Sequence, residues 1–407
     1  MRILFCASPG VGHVEPMMPL LATMAHRGHE VAWAGAPESH ARACSVGIEH
    51  CFQVGPGSAE TRVEYLRRWP AASNAEGPAS DPHVFPRRFG ALLAPAMLDP
   101  LVRAIETWKP ALVISELGVL AAPLACELTR CRQVTHGFGM PPPASVLDQA
   151  AAEFATQWRS KAFRSPPAEA GLFDSLYLDI YPESLQTPDR LRVGPRRQCL
   201  RPSPPAAGPG VQLPAAMVAH FLPIEARPLV HLTFGTVVNR SEALVLATRA
   251  LADLDARVVV TIGTDGDASL LDSPPSNVHV ERFIPQTMLL PHCALVVSHG
   301  GSGTFLSALA HGVPQLALPQ GADQFINASA LEDGGAGLAL RGAEVTIDSV
   351  RASVTRLLQE SRYRRQAERY AREISEMPSA DDVAARLEAL DPYGADSARQ
   401  VTGTATL

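Results

Sequence analysis

Lysine is almost missing from this chain. Of its 35 basic residues only Lys109 and Lys161 are lysines, so no GxxxxGK phosphate loop and no Schiff-base lysine in a plausible motif can be written. The arginine excess reads first as the coding preference of a GC-rich genome. The seven cysteines are odd in number and contain no CxxC pair, which disfavours a zinc or disulfide framework and fits reduced cytosolic thiols. No apolar run approaches the roughly 18 residues of a membrane span, and Ile3 to Ala7 is too short for a signal-peptide core. A soluble, cytoplasmic protein without a membrane span is expected. The formal charge of −6 and pI near 6.1 argue against a nucleic-acid partner or an anionic membrane. The thirteen histidines form no HExxH and no Cys/His cluster. Asp265-Gly266-Asp267 is the best acidic triplet for a cation, but it falls in a polar turn after a strand, beside Gly263. No metal site is expected.

What is present is a globular composition, 46% hydrophobic and 19% charged, over 407 residues. That length predicts two domains of about 200 residues each. Strand Arg2–Ala7, a loop over Ser8–Gly12, a helix from about Glu15 to Arg27 and strand Glu30–Ala34 make a β-loop-α-β unit, the start of a doubly wound parallel sheet. Ala111–Ile114 and Gln133–Thr135 read as further buried strands. From Val54 to Pro100, and again from Phe138 to Phe163, periodicity weakens and aromatic residues collect, which predicts long irregular insertions. Pro195 to Pro214 has the composition of a semi-rigid linker. Then βα alternation restarts with strand Leu229–Phe234, helix Glu242–Leu251, and strands Arg257–Ile262 and Val278–Arg282. The expected division is a first domain over 1–212 ending in that linker, a second domain over 213–379, and a C-terminal helix with a frayed tail over 380–407. That helix, Ala380 to Leu390, is expected to pack back on the N-terminal domain.

The most specific segment runs from Ala294 to Leu331. An apolar strand, Ala294–Val297, breaks at Ser298-His299-Gly300-Gly301-Ser302-Gly303-Thr304 into a helix over Phe305–His311. A glycine turn feeding a helix N-terminus offers unpaired N–H groups and positive dipole to a diphosphate. The next strand, Gln315–Leu318, ends at Pro319–Gln324 and sets Asp323 and Gln324 beside that seat, suited to sugar hydroxyls. Thr236 after strand Leu229–Phe234 can reach a phosphate, or merely start a helix. The backbone around Phe283 and Ile284 can pair with a nucleobase edge and Gln286 can reach a ribose, although taken alone the segment reads first as a turn. In the first half, His13 follows the first strand and can act as a general base, or merely pack at a helix start. Glu116 ends another strand at the same sheet edge and can hold that imidazole, or be a solvated loop carboxylate. Trp69, Phe85, Phe89, Phe138, Met140 and Trp158 can line an apolar acceptor cleft or pack as ordinary core.

Three motifs occur together: Gly12-His13-Val14 with Pro16; Arg227-Pro228-Leu229-Val230 with Phe234-Gly235-Thr236; and Phe283 to Gln324 with FIPQ, HGGSGT and PQGADQ. In them the chain resembles the metal-independent, inverting nucleotide-sugar glycosyltransferases of the GT-B fold, and among these the actinomycete enzymes that decorate macrolides, enediynes and aromatic polyketides. The resemblance covers nearly the whole chain. It implies an α/β architecture of two facing Rossmann-like domains with a cleft between them. It implies His13 as the base that deprotonates the acceptor, with Glu116 where the family usually carries aspartate. His299, Gly301, Ser302, Gly303 and Thr304 would serve the donor diphosphate with Thr236 helping, Phe283, Ile284 and Gln286 the nucleoside, and Asp323 and Gln324 the sugar; Gly12 is also expected to bind the donor. The donor is expected to be a thymidine-diphosphate deoxysugar used as substrate, with no cofactor, and the acceptor a hydrophobic aglycone. A homodimer and an auxiliary activator protein stay open as partners. A sugar-nucleotide epimerase of the same fold and a non-catalytic helper are the competing readings; the aromatic-rich insertions and the His13–Glu116 pair disfavour the first, and the retained histidine and diphosphate loop the second.

Overall fold

The computed structural model describes residues 1–70, 83–187, 196–203, 213, 227–235, 242–252, 254–263, 266 and 274–389. The expected linker, Pro195 to Pro214, therefore lies outside the described residues apart from 196–203 and 213. Among the described residues no helix is long and apolar enough to cross a membrane.

Two parallel sheets organise the chain. The first holds β1 (Arg2–Cys6), β2 (Glu30–Gly35), β3 (His50–Gln53), β4 (Leu112–Glu116), β5 (Arg132–His136), β6 (Leu176–Asp179) and β7 (Arg197–Cys199), in the order β3-β2-β1-β4-β5-β6-β7. The second holds β8 (Leu229–Thr233), β9 (Arg257–Thr261), β10 (Val278–Glu281), β11 (Leu295–Ser298), β12 (Gln315–Ala317) and β13 (Gly337–Ala339), in the order β10-β9-β8-β11-β12-β13. Central strands such as Leu112–Glu116 and Leu295–Ser298 are buried along their whole length, as apolar and β-branched runs covered on both faces must be. Each sheet reverses its strand order beside its first strand, at β1/β4 and at β8/β11. A crevice opens at the carboxyl ends of such strands, and ligands bind there.

Helices cover the sheets: α1 (Met18–His26), α2 (Pro37–Cys44), α3 (Ser58–Arg68), α4 (Ala94–Trp108), α5 (Ala121–Thr129), α6 (Ala144–Glu153) and α7 (Ala155–Ala162) in the first half. The second half adds α8 (Glu242–Ala252), α9 (Ser302–Ala310), α10 (Gln324–Asp333), α11 (Ile347–Gln359) and α12 (Ser361–Glu376), and α13 (Ala380–Ala389) ends the described chain. The expectation of irregular insertions is corrected here. The described parts of Val54–Pro100 are α3, a π-helical stretch over Pro86–Leu93 and the start of α4. Proline in the first turn of the last two, Pro100 inside α4, and the off-period π-helix hide the 3.6-residue signal. Likewise Phe138–Phe163 folds largely as α6 and α7, parted at Phe154.

One apolar cluster joins the two halves. Met140, Tyr181 and Leu185 of the first pack with Phe305, Leu309 and Leu331 of the second, and the Tyr181 ring stacks on Phe305 at 5.7 Å between centroids. Each such buried side chain contributes about 1.5–3 kcal/mol. The chain then returns to its start. Val383 and Leu387 of α13 bury in the same cluster, and Glu388 pairs with Arg27 at 2.7 Å and with His29 at 2.8 Å beyond the end of α1.

Candidate active site

The candidate acceptor half lies where β1 and β4 diverge. After β1 the backbone turns at Gly10, whose φ of 122° excludes other residue types at little cost, and its carbonyl accepts from the His13 and Val14 N–H groups. His13 thus rides a single helical turn, Val11–Val14, at the sheet edge. Glu116 is the last residue of β4, next to β1, and its side chain is fully buried. Gly118 N–H donates to its Oε1 at 2.6 Å and Ser8 N–H to its Oε2 at 3.4 Å, so backbone dipoles hold the carboxylate in place. His13 Nδ1 stands 3.2 Å from Glu116 Oε1, close enough for electrostatic pairing although the angle is poor for a hydrogen bond. With Nδ1 turned to the carboxylate, Nε2 is the nitrogen left to take a proton.

Aromatic rings enclose that imidazole. Phe138 lies 4.8 Å and Phe89 5.3 Å from the His13 ring, and Phe85 packs on Phe89 at 4.5 Å. These three of the expected acceptor residues come together around His13. Trp69 sits apart, at the end of α3, against Tyr65 and Arg87. Met140 and Trp158 are corrections. Met140 belongs to the core shared by the two halves, and Trp158, 1% exposed, is core beneath Arg164. Both fill space between elements, Trp158 with its indole N–H buried and without a hydrogen-bond partner among the described residues.

The candidate donor half lies at the equivalent divergence of β8 and β11. Gly235 (φ 65°) and Gly300 (φ 80°) make the turns, and Gly301 caps α9 without a side-chain hydrogen bond. The first-turn N–H groups of Ser302, Gly303 and Thr304 therefore stay uncapped, and Gly303 has open space where a Cβ would stand. His299 stacks on Phe234, and its Nδ1 has no hydrogen-bond partner among the described residues. Burial pushes its pKa down to about 4 against the pull of Asp323, so at neutral pH it is an uncharged donor or acceptor. Thr236 lies outside the described residues, as do Asp265 and Asp267. Among the described residues no group of three His, Cys, Asp or Glu side chains could hold a metal ion.

Several expected donor contacts are already engaged within the protein. Ser302 Oγ donates to Asp323 Oδ2 at 2.6 Å. Gln286 Nε2 donates to Thr304 Oγ1 at 3.0 Å, tying the segment after β10 to α9. Gln324 is buried and its Oε1 accepts from the Gln320 and Gly321 N–H groups, which leaves only its amide nitrogen for a ligand. Ile284 is 3% exposed, so only its backbone can face a base, whereas Phe283 is 64% exposed. Gly12 is exposed on the His13 turn. Ala322, at φ 53°, adopts the left-handed conformation costly for alanine directly before Asp323.

Four residues escape sequence reasoning. Asn327 is fully buried and donates to Gly300 O at 2.9 Å and to Ser302 Oγ at 3.1 Å, while Tyr181 OH of the first half donates to its Oδ1. His136, paired in register with Glu116, is fully buried with its Nδ1 2.6 Å from Gly137 O, and burial holds its pKa near about 4. Arg88 stood in the aromatic-rich stretch without an assigned role. For Asn327, Tyr181 and His136 no local signal exists. The two halves meet through consecutive residues: Phe138 touches His13, and Gly139 packs so closely on Ser302 that an added Cβ would come 2.2 Å from its Oγ.

The profile of the family described as "Erythromycin biosynthesis protein CIII-like, C-terminal domain" matches residues 244–390. The elloramycin glycosyltransferase ElmGT of Streptomyces olivaceus is 31% identical over 395 residues, covering 95% of this chain and 97% of that protein. Among solved structures, the glycosyltransferase SnogD from Streptomyces nogalater is 28% identical with a TM-score of 0.74, covering 96% of this chain and 99% of that one. The spinosyn rhamnosyltransferase SpnG, complexed with thymidine diphosphate, is 25% identical with a TM-score of 0.78 over 95% of this chain and 100% of that one. The two-sheet architecture is that of these enzymes.

Proposed function

The chain belongs to the glycosyltransferases of actinomycete antibiotic biosynthesis, and on that footing we propose a metal-independent, inverting enzyme that moves a deoxysugar from a thymidine-diphosphate donor to a hydroxyl of a hydrophobic aglycone. We take residues 1–212 as the acceptor-binding domain, 213–379 as the donor-binding domain and 380–407 as a return to the first. One observation carries the reading. Phe138 and Gly139, adjacent in the chain, hold the His13–Glu116 pair and the uncapped start of α9 on either side of one junction. A base and an anion seat so placed suit a hydroxyl and a sugar diphosphate meeting between them. The thymidine diphosphate bound to the SpnG relative supports the choice of donor.

In this mechanism His13 Nε2 accepts the hydroxyl proton as the acceptor oxygen forms its bond to the anomeric carbon. The bond from that carbon to the diphosphate oxygen breaks on the opposite face, its electron pair leaves with the diphosphate, and configuration inverts. Glu116 steadies the imidazolium. The α9 dipole and the neutral His299 receive the leaving charge, a role a cation plays elsewhere.

Incubating the purified chain with a thymidine-diphosphate deoxysugar, a panel of hydroxylated polycyclic aglycones and a chelator tests this. The expected products are thymidine diphosphate and a glycoside of inverted anomeric configuration. Retained configuration, epimerised donor without glycoside, or activity that vanishes until magnesium is restored would each sink a stated part. Turnover by this chain alone decides against an obligatory activator protein.

A further inference from the structure

Beside the His13–Glu116 pair stands a half-buried positive charge whose hydrogen-bonding capacity the fold leaves largely unused. Arg88 lies in the π-helical stretch Pro86–Leu93, next to Phe89, whose ring packs on His13. Its guanidinium sits 5.4 Å from the centroid of that same ring, and among the described residues its Nη2 donates to the Pro9 carbonyl, at a long 3.4 Å. Its Nε is buried without a hydrogen-bond partner among the described residues. Burial lowers the Arg88 pKa, and Glu116 and Tyr65 only partly oppose that. Tyr65 brings a second orphan, a buried hydroxyl likewise without a partner among the described residues.

Buried polar groups are normally satisfied, and a guanidinium offers five donors in a rigid fork matched to a planar oxyanion. Withdrawing it from water is costly unless a partner arrives. π-Helical turns, moreover, concentrate at functional sites. A half-buried cation with a buried, unpartnered Nε, an orphaned hydroxyl and flanking aromatic faces together describe one kind of ligand, an aromatic body that carries a negatively charged oxygen.

We propose that Arg88, assisted by the Tyr65 hydroxyl, selects the acceptor by binding a carboxylate, or an equally acidic phenol or enol oxygen, borne beside the hydroxyl to be glycosylated. This rests on the acceptor-site reading given above and narrows it to acidic aromatic aglycones. The anion would neutralise the half-buried charge while Phe85 and Phe89 cover the apolar rings. Arg88 takes no proton in the reaction; it sets which molecule presents its hydroxyl to His13.

The test is equilibrium binding to the full chain, without donor, of 3-hydroxy-2-naphthoate and of 2-naphthol, which share rings and hydroxyl and differ by the carboxylate. The wild-type chain should bind the naphthoate at least about tenfold tighter, the scale of a charge-assisted hydrogen bond. R88M should bring the two affinities together by weakening only the naphthoate, R88K should keep part of the preference, and Y65F should narrow it slightly. Thymidine diphosphate affinity should stay unchanged in all three, which also reports folding. Equal affinities in the wild type, binding of neither compound, a preference that survives R88M, or equal weakening of both compounds by R88M would overturn the proposal. If R88M fails to fold, the wild-type preference and its reduction in R88K still decide. A correct preference without glycoside formation would instead count against the proposed transfer chemistry and leave the subsite intact.

Discussion

The acceptor half of the proposed active site sets formal charges around the base, the Glu116 carboxylate and the half-buried Arg88 guanidinium, whereas uncharged groups line the diphosphate seat of the donor half, with the Asp323 carboxylate held beside it by Ser302. That seat is built of the first-turn N–H groups of α9 and a histidine that burial keeps neutral. The chemistry expected of each half explains the difference. A base that becomes cationic only in passing is served by a fixed carboxylate held by the N–H groups of Gly118 and Ser8. A leaving diphosphate must be stabilised and then let go, and dipoles in a preorganised turn do this without the tight hold of a full cation.

If the halves divide the work in this way, His13→Ala gives the largest effect. Transfer should fall by at least about 10²-fold, with thymidine diphosphate binding, measured by calorimetry, intact. Near wild-type turnover would remove the base assignment. Gly139→Ala attacks the junction instead, because its Cβ would strike Ser302 Oγ, which Asp323 holds. We expect a loss of transfer of about tenfold or more together with a destabilisation of about 1–3 kcal/mol, read from urea unfolding. An unaltered variant would mean that the two halves are not in register through this glycine. Glu116→Gln keeps the shape and removes the charge, so it should cost less than His13→Ala and leave donor affinity alone. A loss equal to that of His13→Ala would place Glu116 on the substrate.

The smallest effects concern pH. His136 in the acceptor half and His299 in the donor half both have pKa values lowered by burial from 6.5 to about 4. Between those values the unfolded chain binds more protons than the folded one. Stability therefore rises with pH through the interval and is lost as pH falls from about 6.5 toward about 4. Denaturant midpoints at pH 7 and pH 5 should differ less for His136→Asn and for His299→Asn than for the wild type. Only His299→Asn should also weaken thymidine diphosphate binding. A drop with both variants would erase the distinction between the halves.

The donor half was the more legible, because it is written in contiguous residues. Val296-Val297 as strand, Gly300-Gly301 as turn and Phe305–Leu309 as helix follow from local pattern, and a phosphate seat follows from those elements alone. The acceptor half joins residues about a hundred positions apart. His13 and Glu116 could be suspected from their places at strand ends, but whether they met depended on β1 lying beside β4. Phe85, Phe89 and Phe138 were indistinguishable in sequence from Trp158, which turned out to be core. A π-helical turn aims Phe89 at His13, and no periodicity shows it. The internal engagement of Gln324 and of Ser302 was equally hidden, since a side chain's partner is a matter of position in space.

By itself the sequence determined that the chain folds as two parallel α/β halves, because apolar strand runs, glycine turns and amphipathic helices are consequences of local sterics and burial. It also determined that a glycine turn feeds a helix start in the second half. Only the tertiary structure decided that Phe138 lies against His13 while Gly139 packs on Ser302 at that helix start. It alone decided that Asn327 and Tyr181 tie the turn before α9 to the first half, and that Arg88 Nε is left buried without a partner among the described residues. Those outcomes depend on contacts between residues far apart in the chain, set by sheet order and domain packing, and no local pattern encodes them.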